Sequence, residues 1–167
     1  MTTTGAGYGV RMVDRVEWVM LAYRLPREPS TPRITLWRKL RRLGAVQVVD
    51  GLVALPSNAR TREQVEWLAD EAVAAGGEAT VWVASSASSV QERALAQRMS
   101  DAVASEYRQV VAEAESATGE PETARRRTAA RLRRELLRIN RRDYFPPPER
   151  AQAKAAVARL AESEVTA

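Results

Sequence analysis

Apolar residues recur in two rhythms along this chain, and the change of rhythm divides it. Residues 16–23 are short and β-rich, with Trp18 among them, and read as a strand. Residues 24–32 follow as a loop held by Pro26, Pro29 and Pro32. A first helix is expected next, with Thr31 as N-cap and Pro32 at its first position. Ile34, Leu36, Trp37, Leu40 and Leu43 form its expected buried stripe. Arg38, Lys39, Arg41 and Arg42 turn away from most of that stripe. Gly44 closes the helix, because the residue after a helix end is often left-handed and glycine adopts that conformation freely. Residues 45–49 and 52–56 read as strands joined by Asp50-Gly51, a turn whose two central residues are expected at positive φ. Residues 61–75 read as a second helix with Val65, Leu68, Ala69, Ala72 and Val73 facing inward, ended by Gly76-Gly77. Residues 78–84 are the last strand, with Val81 and Val83 on one face and Trp82 on the other.

The period then lengthens. Residues 85–89 are a Ser/Ala linker, and residues 90–116 carry Leu95, Met99, Val103, Tyr107, Val110 and Ala114 at helical spacing. A break at 118–121 precedes a second long helix over 122–140, with Leu132, Leu136 and Ile139. Three prolines at 146–148 precede a final helix over 149–162. The order β-α-β-β-α-β is that of the split βαβ, or ferredoxin-like, arrangement. The expected fold is therefore α+β, with residues 1–12 a flexible tail and residues 13–86 a ferredoxin-like domain. Residues 87–167 form a helical hairpin and a short closing helix, packed on the sheet or on a second subunit.

Composition narrows the chemistry. Cysteine and histidine are both absent, which removes disulfides, thiolate nucleophiles, ordinary zinc sites and imidazole catalysis. Lys39 and Lys154 are the only lysines, so 24 of the 26 basic residues are arginine. Arginine presents a planar, always-charged fork suited to phosphate and other oxyanions. No leader-like or membrane-spanning stretch is apparent, so a soluble, cytoplasmic chain is expected. The net charge of +5 conceals blocks: residues 1–60 carry net +6, residues 61–117 net −6 and residues 118–145 net +5. Such asymmetry points to an anionic partner.

Two clusters are candidate sites. The first is a DNA-binding set: Arg33, Arg38, Lys39, Arg41 and Arg42 on the first helix, with Arg127 and Arg134 on the helix over 122–140. On that later helix, Arg127, Arg131, Arg134, Arg138 and Arg141 share one stripe, and pairing with carboxylates of residues 92–115 competes with any DNA role. The second is an oxyanion set, Arg24, Arg27, Ser30 and Arg33, placed around the N-terminus of the first helix. The tryptophans at 18, 37, 67 and 82 are expected in the core. A ferredoxin-like nuclease would want a carboxylate at the end of the first strand. Tyr23-Arg24 stand there, and Asp14, Glu17 and Asp50 do not cluster. No catalytic residue, metal or cofactor is expected.

A family resemblance rests on ordered motifs. Residues 18–26 read Trp-Val-Met-Leu-Ala-Tyr-Arg-Leu-Pro, followed by Pro29-Ser30, Arg33 and Leu36-Trp37-Arg38-Lys39-Leu40. Leu43-Gly44-Ala45, Asp50-Gly51, Leu55-Pro56 and Gly76-Gly77-Glu78-Ala79 come next. Glu106-Tyr107 and Arg142-Asp143-Tyr144-Phe145-Pro146 complete the series. Together they resemble the N-terminal domain of the ChrB-type chromate-resistance proteins, over residues 18–160. The first half also looks like the ferredoxin-like domain of phenylacetate-operon repressors and of small CRISPR-associated nuclease subunits. The ChrB resemblance implies a non-catalytic transcriptional regulator of a chromate-efflux operon. It also implies an arginine-rich N-terminal region that holds DNA; a homodimer is expected, with chromate or another oxyanion as a candidate small-molecule partner. This chain stops where the family's second domain would begin, which puts chromate sensing in question. The alternative is a stand-alone oxyanion-binding or protein-interaction module without DNA contact.

Overall fold

The structure, a computed structural model, describes residues 15–162. The expected tail over residues 1–12 lies outside these. Four strands form one antiparallel sheet: β1 (Glu17–Arg24), β2 (Val46–Val49), β3 (Leu52–Pro56) and β4 (Glu78–Ser85). Their order is β2-β3-β1-β4. With α1 (Thr31–Leu43) after β1 and α2 (Ala59–Ala74) after β3, this is the ferredoxin-like arrangement. β1 pairs with β4 over all eight residues and with β3 over five, so it is the central strand. Its alternation explains this role: Val19 and Leu21 point one way and Trp18 and Met20 the other, and Trp18, Val19 and Leu21 are all buried.

Three longer helices follow: α3 (Ser89–Ser116), α4 (Glu122–Asn140) and α5 (Glu149–Glu162). Val103, Tyr107 and Val110 of α3 pack with Leu132 and Ile139 of α4 and with Ala153, Val157 and Leu160 of α5. The small alanines of α5 let it nest between the two longer helices. Leu95 and Met99, earlier on α3, instead join the core of the sheet. One helix thus serves both cores, and Phe145, in the turn after α4, rests against Trp18 with ring centroids 6.1 Å apart.

Several local expectations change. The N-cap of α1 is Ser30, whose side chain makes no capping hydrogen bond, so the helix starts one residue earlier than the Thr31 cap implies. α2 begins at Ala59, because Asn58 and Thr61 form a reciprocal capping box that settles its start. In the β2–β3 hairpin only Gly51 has positive φ, at 74°. Asp50 does not, and a register shift between Gln47 and Val49 takes up the difference. Of the tryptophans, only Trp18 is core; Trp37, Trp67 and Trp82 are 36%, 71% and 59% exposed. Ile34, Val73 and Val83 are also exposed. The working seam of α1 is the narrower set Leu36, Leu40 and Leu43, spaced four and three apart, and Ile34 lies roughly 200° of helical turn from Leu36.

Candidate nucleic-acid interface

Arg38, Arg41 and Arg42 share one exposed side of α1. None makes an ion pair among the described residues. Arg41 and Arg42 occupy the last turn, where positive charge also complements the helix dipole. Lys39 lies apart from them: its Nζ donates to Glu71 Oε1 of α2 at 2.5 Å, which turns it toward the α1–α2 seam. Arg33 lines a different hollow with Tyr23, Trp37, Gln47 and Asp50, beside the hairpin turn.

The end of α4 is pinned against the end of α1. Tyr144 donates its hydroxyl proton to the Leu43 carbonyl at 2.8 Å, and burial raises its pKa above the ordinary phenol value. Arg60, at the start of α2, donates to the Arg141 carbonyl at 2.9 Å. Gly44 sits beneath this turn with φ 81°, and a Cβ there would lie 2.7 Å from Arg142 Cβ. Glycine is needed for both reasons. The result is a cavity of about 520 Å³ lined by Arg41, Arg42, Arg98 and Arg142, with Trp37 at its side. Glu106 is the carboxylate of this cavity, and it is paired with Arg142. Arg98 donates to the Gln47 carbonyl at 2.7 Å, which fixes it at the rim.

Along α4 the stripe divides. Arg131 bridges to Glu113 of α3 at 2.5 Å, as acidic-block pairing predicts. Arg138 pairs with Glu135 of its own helix. Arg127 and Arg134 are exposed and make no ion pair among the described residues. Of the oxyanion set, Ser30 is the N-cap of α1 and Arg33 lines the hollow beside the hairpin turn. Arg24 bridges to Glu78 at 3.1 Å, Arg27 is exposed, and the hollow beside Pro29, Thr31 and Pro32 is lined by Glu71. That carboxylate is the one paired with Lys39.

Arg60 and Arg98 were not among the sequence candidates. Each acts through a backbone carbonyl more than fifty residues away in sequence, and no spacing signals such a contact. Among the described residues, no helix is long and apolar enough to cross a membrane.

Comparison with known proteins places this geometry in a family. The family described as Protein ChrB, N-terminal, matches residues 33–165. One similar relative is Protein ChrB of Cupriavidus metallidurans, 31% identical over 142 residues. The match covers 82% of this chain and 43% of that relative, so the chain spans less than half of the relative's length. No solved structure matches. Through its matched residues, which include α1 from Arg33 onward, Gly44 and the Arg142–Tyr144 turn, the chain belongs to the ChrB N-terminal family.

Proposed function

We propose that this chain is a non-catalytic, DNA-binding regulatory module associated with chromate resistance, acting in the cytoplasm as a homodimer. The observation that carries the reading is the convergence at Gly44. Two basic blocks far apart in sequence, residues 1–60 and 118–145, meet where Tyr144 and Arg142 close over the end of α1. Arg38, Arg41 and Arg42 then form one part of a phosphate-contacting surface, and Arg127 and Arg134 extend it along α4. Arg60 and the Arg142–Glu106 pair hold the two parts in register. Such a surface binds the DNA backbone, and any sequence preference is added by dimer geometry, DNA shape or a few base contacts.

Fluorescence anisotropy with labelled promoter DNA tests this. Five phosphate contacts, one for each of these arginines, predict an affinity loss of about 500-fold between about 50 and about 200 mM salt. Replacing Arg38, Arg41 and Arg42 together by alanine should weaken binding and flatten the salt dependence, with an unchanged circular dichroism spectrum. No binding at about 50 mM salt, where counterion release favours the complex most, rejects the DNA reading.

A further inference from the structure

The two edges of the sheet differ. β2 is short, shifts register between Gln47 and Val49, and has its Gln47 carbonyl taken by Arg98 of α3. These features blunt an edge against further pairing. β4 has none of them. It runs eight residues, pairs with β1 without a shift, and has no strand on its outer side among the described residues. It contains no proline, lysine or arginine, and Glu78 at its start is its one charged residue.

The surroundings of β4 are as unusual as its edge. In a chain that is 28% charged, residues 79–91 contain no charged side chain. Exposed apolar residues lie here too: Trp82 and Val83 on the two faces of β4, Val90 at the start of α3, and Val73 on α2, which packs against β4. Protected edges and scattered single apolar residues need no partner, but an open, uncharged edge flanked by apolar side chains does.

We infer that β4 pairs antiparallel with β4 of a second copy of this chain, about a two-fold axis, to join two sheets into one. This names the contact of the dimer proposed above. Charge selects the occupant. Copies that each carry net +5 repel through their arginine surfaces, and this edge is where two copies meet without opposing like charges. A two-fold pairing centred on Val81 or Trp82 sets Glu78 against uncharged residue 84 or 86 of the second copy. It also keeps the α1–α2 layers of both copies on the same side of the joint sheet.

The strand order puts β4 at the edge opposite β2, and the arginine-lined cavity borders β2 through Val46 and Gln47. The pairing therefore leaves both basic regions free at the outer ends. The two β2 strands are then separated by about seven interstrand spacings of about 4.8 Å, roughly 34 Å. That is about one turn of B-DNA, the usual separation of half-sites read by a dimer. This last step rests on the DNA reading; the pairing itself does not.

Sedimentation of the whole chain without DNA tests the pairing. The wild type should sediment at twice its 18.5 kDa. Replacing Trp82 and Val83 by lysine should raise the dimer dissociation constant at least about tenfold, a free-energy change of about 1.4 kcal/mol, with circular dichroism unchanged. Leu137→Lys, on the exposed face of α4, should leave the dimer intact. A wild-type monomer at every concentration overturns the dimer altogether. A dimer unaffected by the β4 substitutions but dissolved by Leu137→Lys overturns this interface and leaves the dimer and the DNA reading standing. Hydrogen exchange on the wild type gives a check that needs no variant. Outward-facing β4 amides should become protected as protein concentration rises, and exchange independent of concentration overturns the proposal.

Discussion

At the residue scale, Gly44 and Gly76 form a natural control pair. Both sit just beyond a helix with φ near +80°. A Cβ on Gly44 would meet Arg142 Cβ at 2.7 Å, whereas a Cβ on Gly76 would meet only Pro26 Cγ at 3.8 Å. Each alanine substitution incurs the left-handed backbone penalty, about 1–2 kcal/mol, and only Gly44→Ala adds the collision with the α4 turn. Gly44→Ala should therefore lower the urea midpoint clearly more than Gly76→Ala does. Equal losses would mean that the α4 turn does not press on the end of α1. A glycine after the first helix was legible in the sequence, but its second duty was not, since Arg142 is almost a hundred residues away. Tyr107 supplies a pH prediction. It is buried, it donates to Asp143 Oδ2 at 2.9 Å, and burial followed by that carboxylate pushes its phenol pKa above the ordinary value of 10.0. A raised pKa means that the fold favours the neutral phenol. The resulting stability is complete below the ordinary value and is lost as pH climbs above it. Tyr107→Phe should lose about 1.5–3 kcal/mol at neutral pH, the range for a hydrogen bond to a charged partner. It should also reduce the fall in urea midpoint between about pH 7 and about pH 11. An unchanged alkaline fall would assign that fall to other groups, such as Tyr23 or Tyr144.

At the scale of elements, the helical half was the more legible. The bounds expected for the helices over 122–140 and 149–162 match α4 and α5. Proline breaks set them off, at 121 before α4 and at 146–148 before α5, and Leu132, Leu136 and Ile139 mark the helical spacing of α4. The stripe on α3 holds from Met99 to Ala114 for the same reason. Short amphipathic elements were harder. On α1 and α2, tryptophan and valine counted as core from their hydrophobicity, yet Trp37, Trp67 and Val73 face outward, because two short helices over a four-stranded sheet cover only a narrow seam. The α3–α4 seam gives a direct test of what holds the helical half together. Leu132 is wholly buried while Leu137, five residues on, is 64% exposed. Leu132→Ala should cost about 2–5 kcal/mol through lost burial and a residual cavity. Leu137→Ala should stay within about 0.5 kcal/mol. Comparable losses on thermal denaturation would contradict the packing described.

At the scale of the whole molecule, the arginines pose a question of partition. The sequence made their number and clustering plain, but not which of them the fold uses internally. Arg131 and Arg142 reach acidic residues on α3, Lys39 is turned to α2, and Arg24 holds Glu78. Those contacts depend on how distant elements dock, so no local pattern separates them from the outward-facing Arg38, Arg41, Arg42, Arg127 and Arg134. The partition has a quantitative consequence for DNA binding. Each phosphate contact contributes about 0.9 to the slope of log affinity against log salt. Replacing Arg127 and Arg134 by alanine should then reduce the slope by up to about 1.8, if both meet phosphate. Combined with the triple α1 substitution, the two reductions should add, because the groups lie on separate helices and share no partner. Arg24→Ala, which removes an exposed cation already paired with Glu78, should leave the slope unchanged. A slope that responds to the α1 set alone would confine the DNA footprint to α1 and leave the α4 arginines as solvent-exposed charge. A slope that responds to Arg24 as strongly as to Arg41 would mean that binding follows total charge and that the docking of α4 on α1 builds no particular surface.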